Sequence, residues 1–244
     1  MARIDIEEDV TLDSPTLVEG LPGVGLVGKI ATDHLVDSLD MSYVGSCYCD
    51  GLPEVAVYSE DNREFTPPVR LYADETRDLL ALQSDVPVSP DAAPEFSTCL
   101  VGWFDEHDVT PVCLSGLPEE KDGVPEVYSI GTGGAIAELD AIGVDTPPES
   151  GLISGPTGAL LAEARRHGLD AAAFVVQAHA GFPDPEAARV LLLEAVAPLT
   201  GIDVETQYLV ERAEEISDAR QQLAEQMQEA GERSTQAPPR GMAP

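Results

Sequence analysis

Residues 20–29 read GLPGVGLVGK. Two phosphate-loop patterns overlap there. Gly23-x-Gly25-x-x-Gly28 follows the dinucleotide fingerprint, and Gly23-x-x-x-x-Gly28-Lys29 follows most of a Walker A loop. Both patterns rest on the same physics. Glycines let the backbone pass close to a phosphate, and the following helix points its free N–H groups and positive dipole end at it. Residues 16–19, before the loop, read as a short strand. Residues 24–39, after it, read as an amphipathic helix with Leu26, Val27, Ile30, Leu35 and Leu39 at three- and four-residue steps. Strand, glycine loop and helix in that order open an α/β domain.

The Walker reading fails at one position. The residue after the lysine must carry the hydroxyl that holds magnesium, and here it is Ile30. The dinucleotide reading has more in its favour, because the loop lies between strand and helix and Asp50 follows the second strand at the spacing of a ribose-binding acid. Against it, Pro22 directly precedes Gly23 and the first strand is short. The competing explanation is structural: the glycines let a helix start pack tightly on a sheet. This packing reading is preferred. A ligand-binding use of Gly23, Gly25, Gly28 and Lys29 stays open as the alternative.

Further along, strand and helix patterns alternate. Strands are expected at 41–49, 79–84, 111–115, 126–130 and 171–177, and a hairpin at 55–59 and 66–73 around the polar turn EDNRE. Pro87, Pro90 and Pro94 mark a loop. Helices are expected at 95–106, at 133–142 closed by Gly143, and at 155–167 closed by Gly168. Another starts at Asp184-Pro185, a capping Asp with Pro in the first turn, and ends near Pro198 and Gly201. Residues 1–201 therefore read as one α/β core domain, with layered helices on a mostly parallel but mixed sheet.

Residues 203–230 contain no Gly or Pro and are rich in Glu, Gln, Ala and Arg. They read as one long helix. Leu209, Ile216 and Leu223 recur every seven residues, with Met227 beside them. So thin a seam suits a helix that projects or pairs with a neighbour. The division expected is thus 1–201 as core, 202–231 as a long helix and 232–244 as a disordered tail.

Composition limits the partners. The chain has 244 residues with 45 Asp+Glu against 13 Lys+Arg, a formal charge of −32, and its lysines are Lys29 and Lys121. Such a charge opposes nucleic acid and anionic membranes as partners. Dispersed acid with scarce lysine is the pattern of a cytoplasmic protein in a salt-accumulating organism. The start, MARIDIEEDV, lacks the apolar stretch of a signal peptide, and no apolar run reaches the length of a membrane helix. The expected location is the cytoplasm.

Catalytic signals are thin. Ser46, Ser115 and Ser129 lack a nucleophile-elbow context. Cys47, Cys49, Cys99 and Cys113 contain no CxxC pair and read as structural thiols, although alternation puts Cys47 and Cys49 on one face of a strand. His34, His107, His167 and His179 form no metal-spaced set, and only His179, after a buried strand, sits where α/β active sites lie. No cofactor, metal or catalytic residue is expected.

Three stretches taken together resemble the PAC2-like archaeal proteasome assembly chaperone family. They are GLPGVGLVGKIATDHLV at 20–36, SGLISGPTGALLAEARRHGLDAAAFVVQAHAGFPDPEAARVLLLEAV at 150–196, and the Glu/Gln-rich segment after it. YVGSCYCDGLPEVAVYSED and VPEVYSIGTGG support them, so the resemblance spans nearly the whole chain. It implies an α/β domain of nucleoside-phosphorylase-like layout and a homo-oligomer that acts by binding, not catalysis. The implied partner is the proteasome core particle, through its α-subunits, reached by the C-terminal helix and tail. The implied contact residues are Leu209, Ile216, Leu223, Met227, Met242, Ala243 and Pro244. Tails of this kind end in a hydrophobic residue, a tyrosine and any last residue. Here Met242 keeps the hydrophobic position, Ala243 replaces the tyrosine and Pro244 lacks a backbone donor.

Overall fold

Leu79, Leu80, Ala81 and Leu82 are consecutive and all buried. Successive strand residues face opposite ways, so this strand has a packed layer on each side. The computed structural model describes residues 2–58, 63–119 and 123–213, and it carries that arrangement throughout. In chain order the strands are β1 (Arg3–Ile6), β2 (Thr16–Gly20), β3 (Ser42–Tyr48), β4 (Val57–Tyr58), β5 (Phe65–Thr66), β6 (Val69–Asp74), β7 (Leu79–Ser84), β8 (Thr110–Pro118), β9 (Val127–Thr132) and β10 (Ala171–Ala178). The helices are α1 (Val27–Ser38), α2 (Ala93–Glu106), α3 (Ala135–Ile142), α4 (Gly155–His167), α5 (Pro185–Leu191) and α6 (Ala197–Thr200).

Eight strands form one sheet in the order β1-β3-β6-β7-β2-β8-β10-β9. Its centre, β7-β2-β8-β10, is parallel. The pairings β1·β3, β3·β6, β6·β7 and β10·β9 are antiparallel. The sheet is thus mixed, with the parallel part where crossover helices cover both faces. One face carries α1, α3, α5 and α6 over a core that includes Val18, Leu35, Val112, Phe174 and Leu191. The other carries α2 and α4 over Leu17, Leu82, Phe96, Phe104 and Leu160.

Several expected elements are present with shifted ends. The helix expected at 24–39 begins as a 3₁₀ turn at Val24–Leu26 and becomes α1 only at Val27, because Leu26 sits in the left-handed region at φ 51°. The expected hairpin is split: β4 and β5 pair alone, while β6 joins the main sheet. Pro94 lies in the first turn of α2, where its missing N–H costs no helical bond. Asp184 caps α5 by accepting the Ala187 N–H at 3.1 Å. Past α5 the helix widens to a π turn at Leu192–Val196 and runs through Pro198 to Gly201 at φ 69°. Strand β1 was not expected; Arg3, Ile4, Asp5 and Ile6 alternate polar and apolar residues over only four positions, too short a run to stand out.

The end of the described chain departs most from expectation. Ile202, Val204 and Leu209 belong to the same core as α1 and α5. His34 Nε2 lies 2.6 Å from the Glu205 carbonyl, and the Tyr208 ring stacks on His34 at 6.3 Å. The core therefore takes in residues beyond 201. Leu209 is 2% exposed, so its side chain fills the chain's own core and is not presented to a partner as the seven-residue seam suggested. A leucine at seam spacing looks alike in either role, and only the fold separates them. Residues 207–213 are helical. The expected helix and tail beyond them, with Ile216, Leu223, Met227, Met242, Ala243 and Pro244, lie outside the described residues.

Leu209→Ala leaves a cavity among α1 and α5. Chemical denaturation of the isolated chain is expected to show a loss of about 2–4 kcal/mol. An unchanged midpoint would return Leu209 to the surface.

Candidate functional site

The parallel strands β2, β7, β8 and β10 all end at one edge of the sheet, where open α/β folds bind ligands. Four segments meet there: the glycine loop after β2, Asp85 after β7, the end of β8, and residues 179–184 after β10.

The glycines are used inside the fold. The 3₁₀ turn closes with the Leu26 N–H on the Gly23 carbonyl at 3.0 Å. Gly25 has φ 63°, and its carbonyl accepts the Asp184 N–H at 2.8 Å, tying the loop to the turn between β10 and α5. A β-carbon on Gly28 would stand 3.2 Å from the Leu114 carbonyl oxygen, and one on Gly116 would stand 2.5 Å from that of Val24. Each backbone thus lies against a glycine of the other. This is the close helix–sheet approach expected from the packing reading.

Lys29 points into a charge network. Its ammonium donates to Asp33 Oδ2 at 2.8 Å and Oδ1 at 3.1 Å, and to Asp85 Oδ1 at 2.8 Å. Arg70, itself buried, forms an ion pair with the other Asp85 oxygen at 2.6 Å and donates to Gln83 Oε1 at 2.7 Å. Gln83 Nε2 closes the ring by donating to Asp33 at 2.6 Å. Burial alone would lower the Lys29 ammonium, but Asp33 and Asp85 outweigh it and hold its pKa above the ordinary value. Burial would likewise raise Asp85, yet Lys29 and Arg70 hold it below the ordinary carboxylate value. Three donor contacts of Lys29 go to carboxylates, where a phosphate-loop lysine needs them for its ligand.

Asp50 does not complete a dinucleotide site. Strands β7 and β6 separate β2 from β3, placing the two strand ends about 14 Å apart at three strand spacings. In the fingerprint fold those strands are neighbours. His179 is held within its own turn: its backbone N–H donates to Asp184 Oδ2 at 2.9 Å, and its Nδ1 accepts the Gly181 N–H at 3.1 Å. Among the described residues no three His, Cys, Asp or Glu side chains converge to hold a metal. No helix among them is long and apolar enough to cross a membrane.

Glu19, in the same edge region, was not singled out by the sequence reading. It is fully buried at the end of β2. The Thr157 hydroxyl donates to its Oε1 at 2.8 Å and the Leu114 N–H to its Oε2 at 3.3 Å, so the carboxyl joins β2, β8 and the start of α4. Burial pushes the Glu19 carboxyl up from 4.5 to about 7 against those hydrogen bonds. Its signal was available in the sequence: a carboxylate inside the apolar run TLVEG.

Apolar surface remains on the described part of the molecule. A groove of about 850 Å³ lies over the ends of β8, β9 and β10, lined by Leu117, Tyr128, Ile130, Leu152 and Val175 with Glu119, Glu126 and Glu149. Tyr58 and Phe65, paired across β4 and β5, are both strongly exposed.

Fold and edge together define a three-layer α/β protein whose glycine loop and lysine are committed to internal contacts. The chain belongs to the PAC2 family, whose profile matches residues 17–226. It is similar to the crystal structure of Pyrococcus furiosus PbaA, described as an archaeal homolog of proteasome-assembly chaperone, at 28% identity over 96% of each chain with a TM-score of 0.79. Pyrococcus furiosus PbaB, described as an archaeal proteasome activator, shares the fold at 24% identity over 91% of this chain and 98% of its own, with a TM-score of 0.75. An uncharacterized protein of Methanocaldococcus jannaschii is 28% identical over 218 residues, covering 89% of this chain and 88% of its own.

Two substitutions separate packing from ligand binding. Gly116→Ala forces a β-carbon onto the Val24 carbonyl and is expected to cost about 1–3 kcal/mol in denaturant unfolding. Gly23→Ala, at an extended φ of −145° with open space around it, is expected to change stability by less than about 0.5 kcal/mol, although Gly23 opens both phosphate patterns. A large loss at Gly23 would contradict the packing account.

Glu19 gives a pH signature. Its folded value lies above 4.5, so the fold favours the protonated form. Stability from this group is fullest below 4.5, falls as pH rises to about 7 and is flat above. Glu19→Gln keeps a hydrogen-bonding amide without the charge. The variant is expected to gain about 3 kcal/mol on the parent chain between the ends of that window. A stability difference that stays constant with pH would contradict the buried carboxyl.

Proposed function

We propose that the protein is a non-catalytic binding protein that associates with the proteasome core particle and assists its assembly. The observation that carries this is the likeness to the proteasome-assembly chaperone homolog PbaA over 96% of both chains, at 28% identity. The commitment of Gly25, Gly28 and Lys29 to internal contacts supports it, because the alternative ligand-binding use needs those groups at a phosphate.

The contact proposed is with proteasome α-subunits, through residues 214–244. Sequence supports this assignment: Ile216 and Leu223 continue the seven-residue spacing of Leu209, and Met227 lies beside them. The anchoring of residues 202–209 on α1 supports it as well, since it gives the segment a fixed point of departure. Homo-oligomer formation is proposed too, supported by exposed apolar side chains such as Tyr58, Phe65 and Leu152. The acidic composition fits a cytoplasmic setting at high salt.

The test is a pull-down of the tagged full chain from its own high-salt lysate, beside a chain ending at Ala213. That cut spares Leu209 and so leaves the core intact. Recovery of α-subunits is expected to fall ~10-fold or more on truncation, ~1.4 kcal/mol of affinity. Equal recovery by both chains would move the contact onto the α/β domain. Recovery by neither would overturn the proteasome reading.

A further inference from the structure

The β4·β5 ribbon pairs only two residues on each strand, Val57 with Thr66 and Tyr58 with Phe65. A ribbon that short is not stable in water without something packed on it. Its aromatic pair is nonetheless bare: Tyr58 is 85% exposed and Phe65 75%. On the other side of the molecule the groove over β8, β9 and β10 is bare too. Leu117 and Ile130 on its floor are 36% and 40% exposed, and Leu152 on its wall is 87% exposed. Its volume of about 850 Å³ is large enough to take aromatic side chains. We propose, on the footing that the chain forms a homo-oligomer, that the β4·β5 ribbon of one copy seats Tyr58 and Phe65 in the β8·β10·β9 groove of a second copy.

Charge and distance select that occupant. Glu119, Glu126 and Glu149 rim the groove. Two of them are held in place: the Gln177 amide donates to Glu119 Oε2 at 3.2 Å, and the Tyr128 hydroxyl donates to Glu126. Such a rim repels most of the surface of a chain with 45 Asp+Glu against 13 Lys+Arg. The ribbon is an exception. Arg63 offsets Glu64 and stands exposed two residues before Phe65, so a cation accompanies the apolar pair. The ribbon cannot fill the groove of its own chain. Phe65 lines a hollow with Arg3 and Tyr48 on β1 and β3, and β3 lies five strands from β10, about 24 Å across the sheet. Donor and acceptor surfaces differ, so the contact is heterologous, the kind that builds rings.

The experiment measures the mass of the full chain in molar salt by sedimentation and light scattering. The parent is expected to be an oligomer. Tyr58→Ser with Phe65→Ser removes the rings, and Ile130→Asp with Leu152→Asp spoils the groove. All four positions are exposed, so each double variant keeps its fold, as circular dichroism would verify. Each variant alone is expected to be a monomer, its dissociation constant raised about 100-fold or more. An equal mixture of the two is expected to form a 1:1 heterodimer, because one copy still has a groove and the other a ribbon. A monomeric parent would overturn this contact and the homo-oligomer together. An oligomeric parent of which either variant stays oligomeric would overturn the contact alone. So would two monomeric variants whose mixture gives no heterodimer.

Discussion

The first helix can lie on the parallel sheet only because two backbones touch. Gly28 faces the Leu114 carbonyl, and Gly116 faces that of Val24. A side chain at Gly116 would push the start of α1 outward. Val27, Ala31 and Leu35 would then lose depth in the core they share with α5. The turn before α5 depends on the same loop, through the Asp184 N–H on the Gly25 carbonyl. Residues 202–209 depend on it in turn, since they pack on α1 through His34 and Leu209. One tight approach thus sets the position of everything on that face, including the point from which the C-terminal segment departs.

Charge is arranged around that approach. A chain of formal charge −32 repels itself, so the placement of its few cations matters. Lys29 and Arg70 close on Asp85 from α1 and β6, joining the helix to the strands beside β2. With both cations partly or fully buried, the pairing is less screened by salt than a surface pair would be. Glu19 is the opposite case, a carboxyl buried without a cation, so burial moves its pKa upward against the hydrogen bonds from Thr157 and Leu114. Family membership adds that this architecture is common to proteins described as proteasome-assembly chaperone homologs and activators.

Much of this could be read from local pattern. The apolar run at 171–177 announced a buried strand, and Asp184-Pro185 announced a capped helix, because burial on two faces and helix capping both leave marks in adjacent residues. What stayed hidden depends on partners far apart in sequence. Arg70 and Asp85 gave no sign of joining Lys29, and Thr157 gave none of meeting Glu19. Strand order was equally invisible: Asp50 had the spacing of a ribose acid, but the insertion of β6 and β7 between β3 and β2 removes it from the loop. Leu209 shows a further limit, since spacing marked it as apolar without telling whose core it enters.

The central claim is that the glycine loop serves packing and leaves no cradle for a phosphate. Its most direct test is the melting of the full chain in molar salt against adenine and guanine nucleotides and dinucleotides, each with magnesium. The account predicts no shift with any of them. Saturable stabilisation, reaching about 2.7 kcal/mol at a hundredfold excess over Kd, would contradict it and return Gly23, Gly25, Gly28 and Lys29 to a ligand.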